Sequence, residues 1–158
     1  DRVTASIIRR KLMAITSAIC NSFKVEILTA IHDFTASTGD TFNLALYTSS
    51  ATINKSTTAY SATNEISNTS GSAYSAKGKA LTSVTPVLSS DTAVCDFANI
   101  SWTSATFTAN GCLIFNDSAS GDPACCTIAF GGDKTVTSGT FTIEFPAAAA
   151  STAIIQLA

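Results

Sequence analysis

The sequence has little charge and few of the residues that usually carry chemistry. Charged residues make up 13% of the 158 residues, and there is a single histidine, His32. Any serine–histidine or cysteine–histidine nucleophile system has to use this residue. It stands beside Asp33 near the apolar edge of a predicted helix, where a surface or helix-end role is far more common than general-base catalysis. We therefore predict no enzyme, no catalytic residue and no cofactor.

Metal-binding patterns are also incomplete. Asp91 and Asp96 lie in a turn-like segment, which fits a glycosidase poorly because its two carboxyls face each other across a cleft. The same holds for Asp117 and Asp122. These two residues and Asp133 would hold calcium only if the loops at one end of the fold converged. We predict no metal site.

The cysteines show neither a disulfide framework nor a zinc site. Their number is odd, two are adjacent, and the sequence has no CxxC pattern or histidine cluster. We predict that most of the cysteines are buried thiols, as in a protein assembled in a reducing cytosol. They are Cys20, Cys95, Cys112, Cys125 and Cys126.

Small hydroxyl side chains are abundant instead. Serine and threonine account for 45 of the 158 residues, and hydrophobic residues for 46%. Disorder requires low hydrophobicity and high charge, and this chain has neither. Hydroxyl residues beside β-branched and aromatic ones suit half-exposed strands. A length of 158 residues is typical of one domain, which we predict over residues 13–158.

The charges are divided unevenly between the first twelve residues and the rest. Residues 1–12 carry four basic side chains and one acidic, a net charge of +3, whereas the other 146 residues carry five basic and ten acidic, a net charge of −5. We predict a basic N-terminal arm that docks on an acidic partner surface or on another copy of this chain; a solubilising tail is the alternative. Nucleic acid and membrane are not predicted partners. The candidate interface residues in the arm are Ile7, Ile8, Arg9, Arg10 and Lys11.

Hydrophobic spacing predicts one amphipathic helix and many strands. The apolar residues between Thr16 and Phe34 recur with a helical period, with Thr16 or Ser17 as the cap. Alternation with a period of two predicts two strands or one bent strand over Asn99–Asn116, with Trp102 in the core. Further strands are predicted at 41–48, 80–87, 92–97, 125–130, 140–145 and 153–157, with loops at 116–123 and 131–139 and with Pro86 marking an edge or strand end.

A long polar region, Ser49–Lys79, separates two of these strands. It has no sustained period, which predicts a short strand near 65–67 and otherwise either a projecting functional loop or a surface excursion. Tyr60 and Tyr74 are its candidate interface residues. Altogether the pattern predicts a mainly β protein, an antiparallel β-sandwich of jelly-roll-like type with one N-terminal helix over about residues 16–34.

Several segments resemble small virion structural proteins of tailed bacteriophages. The similarity covers about residues 39–157 and rests on GDTFNLALYTSSAT, TAYSATNEIS, GSAYSAKGKALTSVTP, ISWTSATFTANGCLIFN and IAFGGDKTVTSGTFTIEFP. The extension before Met13 and the lengthened ISNTSGSAYSAKGKA depart from that pattern.

The resemblance implies a capsid cement, or decoration, protein on the virion surface. Its expected partners are the major capsid protein and other copies of itself, in a homo-oligomer. The alternative from a different functional class is a tail-tip or fibre module that binds host surface glycan through the 49–79 region and its tyrosines.

Overall fold

Two antiparallel sheets form the part of the chain that the structure, a computed structural model, describes: residues 14–67 and 72–158. One sheet has the strand order β1-β7-β6-β2-β3 and the other β4-β5-β8. The mainly β prediction is confirmed, and the two sheets are consistent with a β-sandwich. The predicted arm, residues 1–12, lies outside the described residues. The strands are β1 Ala18–Ile19, β2 Phe42–Tyr47, β3 Lys79–Ala80, β4 Ser83–Ser89, β5 Thr92–Phe97, β6 Ile100–Asn116, β7 Ala124–Ile143 and β8 Ile155–Leu157, and one helix, α1, spans Asn21–Leu28.

The central hairpin of β6 and β7 dominates the larger sheet. The predicted stretch 99–116 forms one bent strand, in which register shifts interrupt the pairing with β7, and Trp102 is buried as predicted. The predicted loop over 131–139 is wrong, because β7 continues through it. Ala109 pairs with Lys134 and Gly111 pairs with Ala129, so residues 130–133 form a bulge between two paired regions. Gly131 and Gly132 allow this bulge through φ angles of 73° and 144°.

Strand β2 is buried on both faces, although its alternation predicts one buried face. Leu44 and Leu46 are fully buried, and so are Ala45 and Tyr47 on the opposite side. Side chains of the 49–79 region, among them Ile66, join the same core and cover the second face. Each such large apolar side chain contributes about 1.5–3 kcal/mol when it leaves water.

The helix is shorter than predicted. Residues 18 and 19 pair with β7, so the helix begins only after Cys20, and neither Thr16 nor Ser17 caps it. It ends at Leu28, since Ala30 takes a φ of 58° and the N–H of Ile31 turns back to the carbonyl of Glu26. The prediction of a helix over 16–34 is therefore wrong in its bounds. Phe23 is the buried residue of the eight, and Leu28 is exposed.

The smaller sheet follows the predicted hairpin. Strands β4 and β5 pair around Ser90 and Asp91, and Pro86 lies in the edge strand β4 at a register shift, as predicted. Strand β8 lies within the predicted 153–157 segment and pairs with β5. The predicted strand near 65–67 is reduced to one bridge between Glu65 and Tyr47. All five cysteines are buried free thiols, as predicted.

Candidate interaction surfaces

Glu65 brings the two candidate tyrosines of the 49–79 region together. Tyr60 donates a hydrogen bond to Glu65 Oε2 and Tyr74 donates one to Glu65 Oε1, both 2.6 Å long. The Tyr74 hydroxyl also accepts a 2.9 Å hydrogen bond from the N–H of Leu46 in β2. Burial, and then the bond to Glu65, raises the pKa of Tyr60 to about 12 and that of Tyr74 further. Both hydroxyls therefore stay protonated donors at neutral pH.

Tyr74 does not lie on the surface. It is 4% exposed, and its ring packs against Trp102 and Phe107. Tyr60 is half-buried and stacks on Phe115 at 4.8 Å between ring centroids. Tyr74 is therefore a core residue, and its hydroxyl and ring both hold the region against the sheet.

Lys77 forms a second attachment beside the first. Its ammonium lies 2.8 Å from a carboxylate oxygen of Asp117 and 2.8 Å from one of Asp122, and 5.7 Å from the ring centroid of Tyr60. The hydrogen bonds to the two aspartates raise the pKa of Lys77. The loop at 117–123 thus does bring Asp117 and Asp122 together, but a lysine occupies the position between them. Asp133 is elsewhere, bonded to Asn110.

These attachments decide the character of the 49–79 region. Within its described part, the amides of Tyr60 and Ile66 donate to the carbonyls of Asp122 and Leu46. Ile53 and Ile66 are buried in the core. The region is therefore a surface layer bound to the sheet, and the projecting-loop interpretation is wrong for its described residues. The hydrophobic periodicity did not predict that the region is bound to the sheet, because apolar residues on irregular backbone are unevenly spaced in the sequence.

A buried polar network surrounds His32, which lies after α1 and is 8% exposed rather than on the surface. Asn116 Oδ1 accepts hydrogen bonds from two backbone N–H groups, so its Nδ2 faces His32 Nδ1 at 3.2 Å. Nδ1 is therefore an acceptor, and Nε2 carries the hydrogen that it donates to Glu26, at 2.9 Å. The same amide donates to Asp40 at 2.7 Å, joining three separate segments of the chain.

Cys125 completes a line of three groups that has the order of a nucleophile, a base and a carboxylate. Its Sγ lies 3.9 Å from Nδ1 of His32, which contacts Glu26 on its other side. Burial raises the pKa of this thiol well above its ordinary value, and the residue has no exposed surface. A fully buried, protonated thiol is a poor nucleophile, so the line is a packing and hydrogen-bonding unit. Among the described residues, no group of three or more histidine, cysteine or acidic side chains is placed to hold a metal ion.

The outer edge of β7 is the most open feature of the larger sheet. Strand β1 covers it only at Cys126 and Thr127. From residue 130 to residue 143, no backbone hydrogen bond joins this edge to another strand among the residues that the structure describes. Unpaired N–H and C=O groups along such an edge are a template for another extended chain.

An apolar groove follows this open edge. One part, about 490 Å³ in volume, lies between β7 and the segment that follows it. A second part, about 360 Å³, continues along β1, and Ile128 and Ile154 line both. The half-buried side chains that line the groove include Ile19, Phe130, Phe141, Ile143 and Phe145.

The candidate arm residues Ile7, Ile8, Arg9, Arg10 and Lys11 lie outside the described residues. None of the helices among the described residues is long and apolar enough to cross a membrane. No family model, no curated protein and no solved structure matches the chain.

Proposed function

We propose that this chain is a structural protein of a tailed-phage virion, and specifically a capsid cement protein that binds the major capsid protein. The observation that carries the proposal is the open edge of β7 with its apolar groove, a surface that suits a polypeptide partner better than a small molecule. The sequence resemblance over residues 39–157 supplies the phage context.

The placement of the reactive side chains supports a binding role. Cys125 and His32 are buried and bonded to one another or to neighbours, and the carboxylates of Asp117 and Asp122 are held by Lys77. A cement protein needs a rigid body and an exposed surface that binds its partner through hydrogen bonds and apolar contacts. The described part of the 49–79 region, which is hydrogen-bonded to the larger sheet, and the long β6–β7 hairpin provide such a body.

A sedimentation experiment tests the proposal. The full chain is mixed with purified heads and, separately, with purified tails of a phage whose virion contains it. We expect saturable binding to heads and none to tails. Removing residues 1–12 should lower head occupancy without changing the urea midpoint of the body. Binding to tails alone contradicts the cement role, and unchanged occupancy contradicts the arm's part in it.

A second candidate function, glycan binding by a tail-tip or fibre module, is favoured by one groove beside the 49–79 region. It is about 430 Å³ in volume and is lined mainly by hydroxyl and amide side chains of residues 52–64, including Thr52 and Thr63. Glycan-array binding that is lost in the Thr52→Ala/Thr63→Ala double variant, but kept in Thr140→Ala on β7, would favour this function. Binding of the chain to heads would exclude it.

We also propose that the two sheets belong to a jelly-roll-like sandwich. The eight strands within residues 14–67 and 72–158 and the antiparallel pairing of both sheets support this arrangement. An experimentally determined structure tests it by the way in which the strands of the two sheets face each other.

A further inference from the structure

We propose that the outer edge of β7, together with the apolar groove beside it, binds the N-terminal segment, residues 1–13, of a second copy of this chain. The inference deepens the proposed structural role, on which it rests for its biological use, by naming the contact through which copies join. It assigns a receptor surface and an occupant.

The receptor surface has two complementary parts. The open backbone of residues 130–143 offers main-chain hydrogen bonds to an added strand. The groove offers apolar contacts, since Phe130, Phe141 and Ile143 are only half-buried there. An occupant therefore needs an extended backbone and a few apolar side chains.

Residues 1–13 are long enough to follow the part of this edge beyond the bulge. Thirteen extended residues span about 43 Å, and the ten residues 134–143 of a strand span about 33 Å. A strand formed by residues 1–13 would therefore reach along residues 134–143.

The composition of the segment fits the groove. Val3, Thr4, Ile7 and Ile8 are β-branched residues that favour strands. Neighbouring side chains of a strand point to opposite faces, so in either register one of Ile7 and Ile8 faces the groove. No other stretch of the chain outside the described residues is both apolar and long enough.

Charge also favours this occupant. The segment has a net charge of +3 and the rest of the chain a net charge of −5. Glu144 lines the groove and Asp133 lies in the bulge near the other end of the edge, although Lys134 lines the groove as well. The electrostatic attraction therefore comes from the net negative charge of residues 13–158. In either orientation of the added strand, its basic residues Arg9, Arg10 and Lys11 lie near an acidic side chain, Asp133 or Glu144.

The path of the chain points to a second copy rather than to the same copy. Ser17 Oγ accepts a hydrogen bond from the N–H of Ala129, and the carbonyl of Thr16 accepts one from the Thr127 hydroxyl. The N–H of Thr16 donates instead to the carbonyl of Ile53, and Ile15 is buried. The backbone therefore leaves regular pairing with β7 at Thr16, before the open edge begins at residue 130, which favours a second copy as the source of the added strand.

Sedimentation velocity over a range of concentrations tests the proposal on the full chain, without capsids. One variant carries Ile7→Asp with Ile8→Asp, and another carries Phe130→Lys in the groove. We expect the full chain to self-associate and each variant to raise the apparent dissociation constant at least tenfold. The control is Leu88→Lys on β4, since Leu88 is another apolar strand residue, 74% exposed, on the other sheet. It should stay within twofold of the unmodified chain.

An equimolar mixture of the two variants distinguishes a second copy from the same copy. The intact segment of the groove variant meets the intact groove of the segment variant, so association should recover in the mixture. A monomeric full chain, association that both variants leave unchanged, or no recovery in the mixture would each overturn the proposal. If Phe130→Lys lowers the urea midpoint, Ile154→Lys on the opposite wall replaces it in the comparison.

The outcome is separable from that of the proposed function. Loss of self-association in the variants together with unchanged binding to heads supports the self-association proposal, and it contradicts the part given to the arm and to the β7 edge in binding heads. Binding to tails alone by a chain that self-associates as expected overturns the cement role and leaves the self-association proposal standing.

Discussion

A single hydroxyl joins the 49–79 region to the core. The Tyr74 hydroxyl accepts a hydrogen bond from the N–H of Leu46 and donates one to Glu65, and both of these groups lose this partner if the hydroxyl is removed. A buried donor left without a partner costs about 1–3 kcal/mol. We therefore expect Tyr74→Phe to lower the free energy of unfolding by ~1–3 kcal/mol in urea denaturation.

The matched control for this variant is Tyr60→Phe. Tyr60 bonds the same carboxylate but is only half-buried, so its loss should cost about 0.5–1.5 kcal/mol. Equal losses for the two variants would contradict the role given to the Leu46 amide. The sequence placed both tyrosines in the polar region, but it could not predict their shared carboxylate, because that contact depends on how irregular backbone folds over β2.

Asp96 gives the stability a pH dependence of definite sign. It is buried on β5, and burial raises the pKa of its carboxyl above the ordinary value of 3.8, against the lowering effect of a hydrogen bond from the Phe97 N–H. The folded state therefore holds this proton more tightly than the unfolded chain does. Its contribution to stability is largest below about pH 4 and falls as pH rises through the raised folded-state pKa.

The Asp96→Asn variant removes this titration. We expect the free energy of unfolding of the variant, relative to the unmodified chain, to increase as pH rises above 4 and to be constant below it. Urea denaturation of both proteins between pH 3 and pH 7 measures the difference, in which the titrations of all other groups cancel. Parallel pH profiles would contradict the assignment.

The local sequence pattern predicts the two ends of strand β7 but not its middle. The apolar run at 125–130 and the alternation at 140–145 each predict a strand, and both segments lie in or overlap β7. The intervening Gly131-Gly132 pair indicates a break, since glycine is typical of loops. The structure instead places the pair in a bulge, after which pairing with β6 resumes at Lys134. A bulge and a loop have the same local signature, and only the partner strand distinguishes them.

Because of the bulge, we expect the stability of the protein to be sensitive to substitution of Gly132. A Cβ there meets open space, so a substitution is opposed by the φ of 144° and not by crowding. We expect Gly132→Ala to lower the free energy of unfolding by ~1–3 kcal/mol, the cost of a backbone conformation that L side chains rarely adopt. Thr140→Ala, at an exposed position on the same strand, should change it by less than about 0.5 kcal/mol. An unchanged urea midpoint for Gly132→Ala would show that the bulge rearranges without strain.

In the whole molecule, the described part of the 49–79 region belongs to the folded body although it has few strand residues. Its amides bond to distant carbonyls, as those of Tyr60 and Ile66 do to Asp122 and Leu46. Because it also covers the second face of β2, the region cannot open without exposing the core. The composition predicted a single domain, but a polar, aperiodic stretch gave no reason to include this layer in it.

Amide hydrogen exchange tests this coupling. Amides that open only through global unfolding share one exchange free energy, whereas a loop that opens separately exchanges faster. We expect the amides of Tyr60 and Ile66 to exchange within about tenfold of that of Leu46 in β2. The amide of Ala149, in the exposed segment before β8, should exchange much faster because its only backbone bond is local, to Ala147. If the amide of Ile66 exchanges as fast as that of Ala149, the region opens independently of the sheets. The rigid part of the molecule would then consist of the two sheets alone.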